Sequence, residues 1–140
     1  MDIDLPDLPE QRRFVYQQRV EESCARLRKN LEAPHVDALP GFDASRYGTA
    51  HLATQDSGWL PPHADLVHAW FEQFKHHFPD YGTDEKLAHL LGLRAKNVDR
   101  RIRAFRNGDQ PIPYGLWRRF LVLSGRVNQE IIPVMGFFAD

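Results

Sequence analysis

Thr83-Asp-Glu-Lys-Leu-Ala-His-Leu-Leu-Gly-Leu-Arg-Ala-Lys-Asn-Val-Asp-Arg-Arg-Ile-Arg-Ala-Phe-Arg106 is the stretch on which the reading of this chain turns. It predicts two short helices joined at Gly92. Thr83 supplies an N-cap hydroxyl, and Asp84 and Glu85 sit in the first turn, where the helix dipole favours anions. Leu87, Ala88 and Leu91 form the inward face, with Ala88 small enough to let two helices cross closely. Gly92 provides a backbone position where positive φ costs little. Leu93 plugs the angle, and the second helix is expected to start near Arg94, with Val98, Ile102 and Phe105 turned inward at steps of four and three. Its other positions are crowded with Arg, Lys and Asn, the side chains that meet phosphates and base edges in a major groove.

Outward from this stretch, helical periodicity recurs. Leu66, Val67, Trp70, Phe71, Phe74 and Phe78 give an aromatic helix from Pro62 or His63, ended by Pro79. Asn107-Gly108-Asp109 closes the second short helix through a left-handed cap. After the extended Gln110–Pro113, a helix is expected over Tyr114–Ser124. Near the N-terminus, residues 10–32 read as a helix with a narrow stripe of Tyr16, Val20, Cys24, Leu27 and Leu31, expected to pack on the body of the same subunit. Residues 33–62 are punctuated by Pro and Gly but hold Phe42, Tyr47 and Trp59, which predicts an ordered loop lying on the core. Residues 129–138 are apolar but broken by Pro133 and Gly136, and fit a short helix or a strand. The expected organisation is all-α: an N-terminal helix and loop over 1–62, a domain of four or five helices over 63–125, and an apolar segment over 126–140 that is a candidate for dimerisation.

The net charge of −1 conceals an asymmetry. Residues 1–83 carry 8 basic and 13 acidic side chains, whereas residues 84–140 carry 10 basic and 6 acidic ones. A basic segment on an otherwise acidic chain points to a local polyanion-binding face. The sequence has no long apolar run, no signal-peptide pattern and a lone Cys24, which together lead to the expectation of a cytoplasmic protein without membrane contact. His63 and His68 are five apart and His76 and His77 adjacent, so neither pair shares a helix face as metal ligands would. No phosphate loop or nucleophile motif is present. No enzyme activity, metal or cofactor is therefore expected.

Leu87-Ala88-His89-Leu90-Leu91-Gly92-Leu93 followed by Val98 resembles the helix-turn-helix of the lambda-repressor-like (Cro- and XRE-type) DNA-binding domains. Pro111-Ile-Pro-Tyr-Gly-Leu-Trp117 is similar to a run in small regulators of phages and integrating elements. The resemblance covers residues 63–125 and implies a homodimer bound to double-stranded DNA at an inverted repeat, acting as a transcriptional regulator, more in the manner of a repressor or autoregulator. Early helix positions then assign Lys96, Asn97 and Arg100 to base edges. Lys86, Arg94, Arg101, Arg103 and Arg106 are assigned to phosphates. The competing expectation is a protein-interaction module, antitoxin-like or anti-defence in kind, built on the aromatic helix, the N-terminal stripe and the apolar C-terminus.

Overall fold

Helical spacing of apolar side chains governs the architecture. The computed structural model describes residues 4–140, in which five α-helices follow one another: α1 (Leu8–Lys29), α2 (Ala64–His77), α3 (Asp84–Leu90), α4 (Val98–Asn107) and α5 (Tyr114–Leu123). Short 3-10 turns lie between α1 and α2 and between α2 and α3, and the described residues contain no strand. The chain divides into two compact units, one spanning Ala38–Ile131 and the other formed by residues up to Asp37 together with Ile132–Asp140.

The larger unit is built around α2. Leu66, Val67, Ala69, Trp70, Phe71 and Phe74 are buried on one side of it. They meet Trp117, Phe120 and Leu121 of α5, where Trp117 stacks on Trp70 at 5.8 Å and Phe120 meets Phe71 edge-on at 4.9 Å. Leu87 and Ala88 of α3, Leu91 after it, and Val98, Ile102 and Phe105 of α4 complete the apolar cluster. Ile112 enters from the connector between α4 and α5, its neighbours Pro111 and Pro113 remaining exposed. Pro79 starts a 3-10 turn after α2, and the Thr83 hydroxyl caps α3 by accepting from the Lys86 N–H at 3.2 Å, as the sequence predicts.

The larger unit begins at Ala38 and so includes the segment ahead of α2. Three 3-10 turns, Ala44–Tyr47, Ala50–Leu52 and Gln55–Ser57, lay the preceding segment on the helices. His51 sits beside the stacked rings of Trp70 and Trp117, edge-on to both, 5.6 and 5.8 Å away. Arg118 of α5 donates to the Leu52 carbonyl at 3.1 Å, and Trp59 donates to the His51 carbonyl at 3.1 Å. Past α5, the Arg126 guanidinium lies 3.7 Å from the centroid of Trp70 and also donates to Gln73. Burial lowers its pKa to about 10, so it stays cationic in neutral solution. The expected 126–140 segment is accordingly divided at Ile131, its first residues belonging to the larger unit.

In the smaller unit, Asp7 caps α1 by accepting from the Glu10 N–H at 2.9 Å, and Pro9 sits in the first turn, where its missing N–H costs nothing. Within α1 no residue is buried, the stripe of Tyr16, Val20, Cys24 and Leu27 included. The C-terminal residues form neither a helix nor a strand. Phe137 meets the Tyr16 ring edge-on at 5.0 Å, and Arg12 donates to the Asp140 carbonyl oxygen.

Candidate nucleic-acid interface

The turn between α3 and α4 sets where each basic side chain stands. Gly92 takes φ 95° and closes α3 as a Schellman cap: the Leu93 N–H donates to the Ala88 carbonyl at 2.9 Å, and the Gly92 N–H donates to that of His89 at 3.0 Å. This cap turns the chain out of α3, and four further residues bring it back. The second helix therefore begins at Val98, one turn later than the start expected near Arg94. Arg94, Ala95 and Lys96 lie in the exposed turn, and Asn97 occupies the N-cap position at φ 60°, the one non-glycine with positive φ among the described residues. Its side chain makes no capping hydrogen bond.

From Val98 onward the helical repeat sorts the cations. Val98, Ile102 and Phe105 are buried, so Arg100 and Arg103 project on the opposite, exposed face. Arg101 is exposed on one flank, its guanidinium 5.7 Å from the Phe105 ring centroid. Arg103 pairs with Asp99 one turn earlier at 3.2 Å. Lys86 on α3 is exposed, but it shares a shallow concavity with Thr83, Asp84, Glu85, His89, Asp99 and Arg103. The carboxylates there make that side of the α3–α4 pair mixed in charge. No ion pair or hydrogen bond engages the side chains of Arg94, Lys96, Asn97, Arg100 or Arg101 among the described residues.

Arg106 must be removed from the expected phosphate contacts. Its side chain is only 13% exposed and is held by two carboxylates, Asp84 at 2.7 Å and Glu72. Lys75 joins the same pair, 3.2 Å from Glu72 and 3.0 Å from Asp84. The four charges tie α2, the first turn of α3 and the last turn of α4 together. Burial pushes the Glu72 carboxyl up, but hydrogen bonds and charge from Lys75 and Arg106 outweigh it and hold the group below its ordinary value. The sequence carried a signal for this role: Arg106 follows Phe105 directly and stands four residues after Ile102, beside the buried face. Other cations outside the basic turn are similarly committed. Arg119 donates to the Leu90 carbonyl at 2.8 Å, satisfying an orphan acceptor at the end of α3, and Arg118 and Arg126 serve the packing described above.

The structure thus places Arg94, Lys96, Asn97, Arg100 and Arg101 on the turn and the adjoining helix, sets Lys86 and Arg103 beside carboxylates, and withdraws Arg106 into the interior. The described residues contain no cluster of His, Cys, Asp and Glu suited to a metal ion, and no described helix is long and apolar enough to cross a membrane. No family model, curated protein or solved structure matches the chain.

Proposed function

We propose that α4 and the turn preceding it bind double-stranded DNA, and that the protein regulates transcription through that contact. The supporting observation is the division of labour among the cations. Lys75, Arg106, Arg118, Arg119 and Arg126 are engaged by carboxylates, carbonyls or rings within the larger unit, while Arg94, Lys96, Arg100 and Arg101 are exposed and without a carboxylate partner among the described residues. Four such cations at one helix start and its approach form a source of positive potential for a polyanion. In this reading Lys96, Asn97 and Arg100 meet base edges, Asn97 suiting adenine and the cations suiting guanine. Arg94 and Arg101 meet phosphates, with Lys86 and Arg103 at the rim. The pair α3–α4 is read as a helix-turn-helix of the lambda-repressor-like kind.

Salt dependence of binding to random duplex tests the proposal. Counterion release gives a slope of about −0.9 in log affinity against log salt for each phosphate neutralised, so four free cations per chain predict a magnitude of roughly 3–4. Fluorescence anisotropy on a labelled duplex of about 30 base pairs would measure it. Absence of duplex affinity at micromolar protein in low salt refutes the reading and favours a protein-interaction module, for which the exposed stripe of α1 is the specific observation.

A further inference from the structure

α1 runs for 22 residues without burying one of them. In proteins most helical stability comes from packing of an apolar face. The apolar residues of α1 are nonetheless ordered along the axis: Val20, Cys24 and Leu27, with Leu31 in the 3-10 turn that follows the helix, keep the four-three-four step of a coiled-coil seam, with Tyr16 one turn before them. Arg13, seven residues before Val20, ends the seam on that side. The C-terminal segment meets α1 near that end, through Phe137 on Tyr16 and Asp140 on Arg12. Val20, Leu27 and Leu31 remain 40%, 45% and 87% exposed.

We propose that this stripe is the docking surface for a second copy of the chain, the two α1 helices pairing antiparallel about a two-fold axis near Ala25. The charges beside the seam select this occupant and this direction. Glu21 and Arg28 stand seven residues apart on one flank, and neither has an ion-pair partner among the described residues. In an antiparallel pair that flank meets its own copy, so each Glu21 faces the other copy's Arg28 and the interface contains the contact twice. In a parallel pair it would meet the opposite flank, which holds Tyr16, Ser23 and Asn30 and offers no charge. Arg12, Arg19 and Arg26, at seven-residue intervals, lie off the seam and stay in solvent. A surface complementary to itself under a two-fold rotation closes at the dimer and does not propagate into a filament.

Disulfide trapping of the full chain without DNA tests both association and direction, and its outcome is independent of the DNA reading. In a Cys24→Ser background, Val20→Cys and Leu31→Cys are made separately and oxidised mildly, alone and mixed. With Glu21 set against Arg28, the antiparallel pair places position 20 against position 31 of the other copy, so the mixture is expected to yield a covalent dimer and each variant alone to stay monomeric on denaturing gels. Crosslinking of Val20→Cys with itself in preference to the mixture would overturn the proposal. In sedimentation equilibrium at tens of micromolar, the native chain is expected to be dimeric, Glu21→Arg to lose the dimer, and the double swap Glu21→Arg/Arg28→Glu to regain it. A monomeric native chain, or a double swap that fails to regain what the single swap loses, would also overturn it.

Discussion

Arg100 and Arg106 lie six residues apart on one helix, and their surroundings give them separate tasks. Removing Arg106 leaves Asp84, whose side chain is 13% exposed, beside Glu72 with only Lys75 to neutralise both. Breaking a buried pair in this way costs about 3–5 kcal/mol, because a desolvated charge loses its partner. Urea unfolding of Arg106→Ala should show that loss, and Arg106→Lys should recover only part of it, since an ammonium lacks the fork that reaches two carboxylates. Arg100→Ala should leave the unfolding midpoint nearly unchanged, within about 0.5 kcal/mol for an exposed side chain without partners. Its expected cost is in binding: about 1–3 kcal/mol on a duplex selected with the native protein, together with relaxed preference at one base pair. Equal affinity of Arg100→Ala and the native chain for that duplex would remove Arg100 from the base-contacting set.

At the scale of the element, the α3–α4 turn separates what the sequence made legible from what it hid. Thr83, Ala88 and Gly92 announced the cap, the crossing and the turn, because each demand is local and few residue types satisfy it. The start of α4 was hidden because Arg94, Ala95 and Lys96 are good helix formers, and nothing in their identity reveals that the Schellman cap has already sent the chain outward. Asn97 was the available clue, since Asn tolerates left-handed geometry better than most residues. Gly92→Ala should cost about 1–2 kcal/mol in thermal or urea unfolding through φ 95° alone, because an added Cβ would meet nothing within 4 Å. Asn97→Gly is the informative change at the other end. It keeps the backbone geometry and removes the amide, so it should retain native stability within about 1 kcal/mol while weakening binding to the selected duplex. Asn97→Ala should lose both, and unchanged binding by Asn97→Gly would show that the amide reads no base.

At the scale of the whole molecule, the segment from residue 38 to residue 62 changes what the core contains. Its aromatic residues foretold an ordered loop, but no pattern along the chain foretold that His51 would pack edge-on against both Trp70 and Trp117, since that placement depends on contacts remote in sequence. The imidazole is 4% exposed. Burial lowers its pKa, the Gly48 backbone partly opposes the shift, and the Arg126 cation adds to it. The folded state therefore holds His51 neutral where the unfolded chain would take up a proton. Its contribution to stability is present above the unfolded value near 6.5 and declines as pH falls below it. Glu72 acts lower on the scale: its folded pKa is depressed, so its contribution is present above the unfolded value of 4.5 and is lost as pH falls through the folded one. Melting temperature should consequently fall in two stages on acidification, the first between about pH 7 and 5.5 and the second below about pH 4.5. His51→Phe keeps an aromatic ring beside the two tryptophans and cannot bind a proton, so its melting temperature should be flat through the first stage and fall with the native chain through the second. Parallel curves for the native protein and His51→Phe between pH 7 and 5.5 would show that the first stage belongs to another group.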